Sequence, residues 1–326
     1  MLRLSLSSLR PLAGPAARTG RSNVRNFSNF KPNVLQTLQK QRHILSLPNF
    51  VKFPRYSTDA PIIEASKPIS WQRIALIAGG VAGTVVILDG ALNRETRGGL
   101  SPAERSLLNS SFAYTGAGLA ITAAAARAMF SSGFAYRLMA TNPWIVVGAS
   151  LAGGIGSMMG VFYTPPENTV AKHAFWLTFN AFQAATLCPL FFLNPAILAR
   201  AGLYTLGVVG SLSYVGATAA NDKYLNFGGP LLAGVSVVAL SALAPLALPV
   251  TAVRTLAITE AVYLYGGLAV FGGFVLYDTQ KILMHARMAE QGLMKRDPVN
   301  EAIGLQLDMI NIFIRLVQIL SMNQRK

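Results

Sequence analysis

The chain has 326 residues, 52% of them hydrophobic and only 13% charged, with a formal net charge of +15. This apolar excess lies outside the composition of a water-soluble domain and makes a membrane protein the first reading. A single cysteine, Cys188, excludes an intramolecular disulfide framework, and with three scattered histidines (His43, His173, His285) it offers no zinc-ligand spacing.

The charge is concentrated at the N-terminus. Residues 1–58 hold ten Lys or Arg and no acid, so the remainder carries 18 basic against 13 acidic groups, a net of +5. A basic surface running the length of the chain is absent, and no nucleic-acid partner is expected. The leader is Arg- and Ser-rich and acid-free, with apolar residues between its charges, which is the composition of a mitochondrial transit peptide. A membrane potential that is negative inside draws such a segment inward. Processing sites fall near Arg25–Ser28 and Pro54–Ser57, the second just ahead of the first acid, Asp59. The competing reading is a basic tail that binds anionic lipid or nucleic acid.

After a polar linker, apolar spans of about twenty residues recur, long enough to cross a hydrocarbon core of roughly 30 Å. Eight are expected: Ile74 to Leu92, Ser111 to Phe130, Trp144 to Tyr163, Ala174 to Leu193, Ala201 to Ala220, Pro230 to Leu248, Ala257 to Tyr277 and Ile303 to Leu320. Turn-rich loops such as Thr164 to Asn168 and Asn221 to Pro230 separate them, and only the loop after Tyr277 is long enough to hold a helix of its own. Trp71, Trp144, Tyr163 and Tyr277 fall at span ends, as interfacial aromatics do. A backbone in lipid must satisfy its own hydrogen bonds, and the alternation of a barrel strand is missing, so the fold class is an all-α polytopic helical bundle. Small residues at four-residue spacing, Gly79 with Gly83 and Ala152 with Gly156 and Gly160, predict close helix contacts. The glycines of Gly154 to Gly160 imitate a dinucleotide motif, but no strand precedes them and no cofactor is expected.

Basic residues do not decide the orientation. One side carries Lys67, Arg73, Arg137, Arg200, Arg254, Arg325 and Lys326, the other Arg94, Arg97, Arg105, Lys172, Lys223, Lys281, Arg287, Lys295 and Arg296. Eight crossings put both termini on one side.

Ionisable side chains inside a bilayer are costly, so each is a functional candidate. Asp89 and Arg127 lie near span ends, Glu260 near the start of the seventh span, Asp278 at its close, and Asp308 and Arg315 well inside the eighth. In the eighth span Asp308, Asn311, Arg315 and Gln318 recur at i, i+3, i+7 and i+10, one polar face on an otherwise apolar helix, which predicts a central helix lining a cavity. A direct Asp308–Arg315 ion pair would have to bridge two turns, roughly 10 Å along the axis. Asp278 and Asp308 are natural partners: two carboxyl groups at hydrogen-bonding distance in a low dielectric hold one proton between them. They also present the hard oxygens that calcium takes, though waters and carbonyls must complete the six to eight ligands it needs. Asn311, Arg315, Arg127 and Glu260 are the candidate partners of the pair.

The stretches Gly272 to Leu283 (GGFVLYDTQKIL) and Leu307 to Leu320 (LDMINIFIRLVQIL) resemble the signature of the Bax-inhibitor-motif family of membrane proteins. That family has a Tyr-Asp-x-x-Gln end to one helix and a Leu-Asp-x-x-Asn-x-Phe start to the last. The resemblance covers about residues 110–326. The leader, the additional first span and the loop Ala220 to Leu231 are similar to the mitochondrial branch of the family. The expected organisation is a transit segment over 1–58, a linker and extra N-terminal helix over 59–109, and a seven-helix core over 110–326.

The resemblance implies a central last helix and a pH-sensitive aspartate pair, carried onto Asp278 and Asp308, that gates a calcium path. For this branch it further implies calcium/proton exchange at the mitochondrial inner membrane, cristae maintenance and restraint of apoptosis. Some relatives latch the pair through an arginine at the end of the second core helix. Here that helix ends Gly160 to Pro166 (GVFYTPP) without one, leaving Arg315 or Arg127 for the role. Lipid, calcium, protons and inner-membrane proteins are the expected partners. The alternative is a non-transporting organiser of the membrane in which the acids fix helix packing. A hydrolase has no support, since no nucleophile elbow, His-Glu-x-x-His or Ser/His pair occurs in the spans, and no enzymatic activity is expected.

Overall fold

The computed structural model describes residues 97–323 apart from Val250, together with positions 83, 86, 87, 89–91 and 93. The leader lies outside the described residues, as does most of the first expected span.

Among the described residues there are nine α-helices and no strand: α1 (Pro102–Ser131), α2 (Phe134–Ala140), α3 (Pro143–Tyr163), α4 (Thr169–Leu187), α5 (Pro195–Thr218), α6 (Gly228–Ala247), α7 (Val253–Ala261), α8 (Gly267–Glu290) and α9 (Pro298–Asn323). A π turn, Val262–Gly266, joins α7 to α8, and 3-10 segments follow α4 (Cys188–Phe192) and α5 (Ala220–Phe227). Helix starts are written locally. Asn142 before Pro143 and Asn194 before Pro195 cap α3 and α5 with their side-chain oxygens, while Ser101 and Glu104 form a reciprocal capping box at α1.

Among the described residues, six stretches are long and apolar enough to cross a membrane: Trp144–Tyr163, Thr169–Phe192, Pro195–Thr218, Ala220–Pro245, Val253–Glu290 and Pro298–Asn323. The 30-residue α1 is less apolar, interspersed with Ser and Thr and carrying Glu104, Arg105 and Arg127. The molecule is therefore an all-α, multi-pass membrane bundle. The last helix is its most enclosed: half of the α9 span is buried, against 11% of the α3 span and 6% of Ala220–Pro245. The outer helices turn Trp144, Leu151, Ile155, Leu232, Val237 and Leu240 outward, which in lipid costs nothing.

Two expectations are corrected. The seventh span does not stop at Tyr277: α8 runs unbroken to Glu290, because the segment after Asp278 is rich in helix formers and meets no breaker before Gly292, whose φ of 74° turns the chain. Asp278 is thus mid-helix. On α3, Gly156 faces open space. The close approach runs through Gly153 and Gly160, where the rings of Phe182 and Phe175 on α4 occupy the volume a Cβ would need.

Helix alternation gathers the start of α1, the end of α3, the start of α4, the end of α5, the end of α8 and the start of α9 at one end of the bundle. The other end holds α2, the Cys188–Phe192 turn and the close of α9, packed as an apolar cluster that includes Ala126, Leu187, Cys188, Leu190, Ile197 and Val317.

Candidate functional site

Two helical stripes face one another across the α8–α9 contact. On α8, Asp278, Lys281 and His285 recur at i, i+3 and i+7; on α9, so do Glu301, Gly304 and Asp308. The helices run antiparallel, so the stripes meet in reverse order. His285 Nδ1 lies 2.6 Å from Glu301 Oε1 at the outer end. Deeper, the Asp278 carboxylate lies against the α9 backbone at Gly304, where a Cβ would come within 2.2 Å of Oδ2. Only glycine leaves that space, one turn before Asp308.

Asp308 is 5% exposed, and its Oδ2 is buried without a hydrogen-bond partner. The charged groups within electrostatic reach of it are Asp278 and Lys281. Asp278 in turn feels Lys281, Glu301 and His285. An acceptor left bare in a buried site calls for a partner, whether a proton, a water or an ion. Among the described residues no three His, Cys, Asp or Glu side chains converge as a metal-ligand set. Two carboxylates that must borrow water and carbonyl oxygens suit a passing hard cation better than a resident one.

The stripe opens outward into a cavity of about 340 Å³, lined by Phe162 to Pro166 on the α3 side and by Lys281, His285, Met294, Lys295, Asp297, Asn300 and Glu301. Behind one wall, the lining residue Asp297 pairs with the buried Lys172. Lys172, 2% exposed, also donates to the carbonyls of Val161 at 3.1 Å and Thr164 at 2.8 Å, so its ammonium satisfies free acceptors at the end of α3. At the rim Lys295 pairs with Glu167 and holds its carboxyl below the ordinary value, chiefly by hydrogen bonding.

Nearby, four charges close a cycle. Arg97 reaches Glu104 at 2.8 Å and Asp222 at 2.7 Å, while Arg287 reaches Glu104 at 2.9 Å and also pairs with Asp222. Asp222 and its neighbour Asn221 take left-handed φ values of 48° and 57°, which Asn and Asp tolerate better than other side chains. Asp89 sits beside this cycle, accepting from Asn93 at 2.8 Å and Thr218 at 3.0 Å.

The remaining sequence candidates separate. Asn311 and Arg315 bind each other, Nη1 to Oδ1 at 3.0 Å, and neither bonds to Asp308. Arg127 and Glu260 are exposed and partner neither aspartate, which corrects their assignment to the pair. Neither Arg315 nor Arg127 takes a latch position on Asp278 or Asp308; the cation beside the pair is Lys281. Sequence reading missed Lys281, His285, Glu301 and Gly304 as site residues. Their i, i+3, i+7 spacing about each aspartate was the available signal.

These features define a class: a polytopic helical membrane protein with two acids between its last two long helices, Asp308 buried and Asp278 half-buried, and a cavity lined by charged side chains one turn further out. The chain belongs to the Bax inhibitor family, whose model, described as inhibitor of apoptosis-promoting Bax1, matches residues 104–325. It is 36% identical over 216 residues to growth hormone-inducible transmembrane protein of Rattus norvegicus, covering 66% of this chain and 62% of the relative. Probable Bax inhibitor 1 of Paralichthys olivaceus is 30% identical over 182 residues, and Bax inhibitor 1 of Bos taurus 30% identical over 184, each covering 54% of this chain and 72% of the relative. The match thus spans less than two thirds of the rat relative's length. No solved structure matches.

Proposed function

We propose that the chain carries calcium across the mitochondrial inner membrane in exchange for protons, with Asp278 and Asp308 as the shared binding site. The observation that carries this reading is the seating of Asp278 against Gly304, one turn from the unpartnered buried Oδ2 of Asp308. Two carboxylates so enclosed either share a proton or take a divalent cation, and the exchange of one state for the other is the transport step. Calcium here is cargo, arriving through the cavity past Glu301 and His285. Lys281 stands beside the pair as the charge the cargo must displace or outcompete.

The inner-membrane location is supported by the acid-free leader with its ten basic residues. A role in restraining apoptosis is supported by the likeness to Bax inhibitor 1 proteins, and cristae maintenance by the likeness to the mitochondrial branch. We read the protein as a transporter rather than an enzyme, working without a cofactor, with membrane lipid, calcium, protons and inner-membrane proteins as its partners. A second reading, a non-transporting organiser, draws on the ion pairs that tie helix ends together.

Calcium flux in proteoliposomes separates the two. The purified chain is expected to take up calcium along an imposed pH gradient, and Asp278→Asn and Asp308→Asn to abolish uptake while remaining folded. A folded wild type without flux removes the transporter reading and leaves the organiser. Flux that ignores the gradient but needs both aspartates makes the protein a channel.

A further inference from the structure

Two turns beyond Asp308 on the same face of α9 lies a cation with no acid to balance it. Arg315 is 3% exposed, and among the described residues no ion pair includes it. Its seat is nevertheless built. Nε donates to the Tyr263 carbonyl at 3.1 Å, within the π turn, and Nη1 donates to the Asn311 carbonyl at 2.8 Å and to Asn311 Oδ1 at 3.0 Å. The guanidinium carbon stands 4.8 Å from the ring centre of Tyr263 and 4.6 Å from that of Phe271. Gly267 leaves the room, since a Cβ there would fall 2.0 Å from Nε.

A buried guanidinium costs several kcal/mol unless paired and bonded. Here neutral groups hold it: carbonyls, an amide and two aromatic faces solvate the charge without cancelling it. A carboxylate would hold it more tightly and also neutralise its field. Holding the charge bare keeps that field.

The interior of the bundle is therefore polarised along α9, with Glu301 at the cavity, Asp308 two turns deeper and a fixed positive charge roughly 10 Å beyond it. We infer that Arg315 is the selectivity barrier of the bundle: it stops cations that reach the aspartate pair from continuing along the polar stripe to the far end. A positive charge held in a low-dielectric interior repels cations far more than it would in water, and an arginine excludes them from pores in this way. The inference rests on reading the aspartate pair as the cation site. It adds that the site is entered from the cavity and blocked beyond.

The test is downhill calcium leak, with no pH gradient, from proteoliposomes holding wild type, Arg315→Gln or Arg315→Lys, each checked for a single gel-filtration peak. Arg315→Gln is expected to raise the leak at least about tenfold, the effect of lowering a barrier by about 1.4 kcal/mol, and Arg315→Lys to stay near wild type. A folded Arg315→Gln with wild-type leak overturns the barrier, and so does an Arg315→Lys that leaks as fast as Arg315→Gln. If Arg315→Gln does not fold, Gly267→Ala, which pushes the guanidinium off its seat, takes its place: a raised leak supports the barrier and an unchanged one overturns it. Gradient-driven uptake by wild type and Asp308→Asn, measured in the same vesicles, reports separately on the aspartate pair. A silent wild type would refute the exchanger, while the leak through Arg315→Gln would still decide the barrier.

Discussion

The two ends of the bundle are closed by different physics. At one end Leu187, Cys188, Leu190, Ile197 and Val317 pack with the rings of Phe130, Phe191 and Phe192, and the closure is dispersion and apolar contact. At the other, helix ends are held by Lys172 with Asp297, His285 with Glu301, and the cycle of Arg97, Glu104, Arg287 and Asp222. Apolar contacts ignore pH and ionic strength, whereas ion pairs respond to both. The difference assigns the ends: the apolar one is a fixed floor, and the charged one is where the molecule can open.

The largest expected effect lies at the charged end. Gly304→Ala, which leaves every charge in place but displaces the Asp278 carboxylate, should reduce aspartate-dependent flux as severely as Asp278→Asn, with folded protein recovered. A Gly304→Ala that transports normally would mean that the seating of Asp278 is incidental. Next comes the apolar floor. Leu190→Ala should cost about 3 kcal/mol of stability through the cavity it leaves, seen as a lower Tm, while flux per folded molecule stays at the wild-type level. A flux change without a Tm change would reverse the assignment of the ends.

Smaller is the effect of Glu104→Gln. It leaves Arg97 and Arg287 facing a neutral amide, and because both arginines are partly hydrated the cost should be about 2 kcal/mol rather than the larger penalty of a dry pair. Salt should narrow the difference between this variant and wild type. Least of all is Lys295→Ala. The depressed Glu167 carboxyl implies pairing that is present above the ordinary carboxylate range and lost as pH falls through its lowered value, but both partners are mostly exposed. Neither Tm nor its pH profile should move.

Much of this was legible in the chain. The polar face of α9 could be read from period alone, and it marked the helix that the structure makes the most enclosed. Asp278 and Asp308 were legible because an acid among apolar residues has few innocent explanations in a membrane. Lys172 was not. It stands where a loop charge would, and its burial follows from Asp297, 125 residues further on. Arg287 was likewise counted as a loop charge, and its partner Glu104, 183 residues away, drew no notice. Periodicity reports which face of a helix is polar; which opposing face completes it depends on the bundle's assembly. The length of α8 was misjudged because hydropathy falls after Tyr277, whereas helix propensity does not.

Lys172 also bears on how the molecule moves. One ammonium fastens the carbonyl end of α3, the first turn of α4 and the acid preceding α9, so these three helix ends travel as one body. Motion of α8 against that body has to part His285 from Glu301 across the cavity, while Arg287 keeps the same end of α8 paired with Glu104 and Asp222.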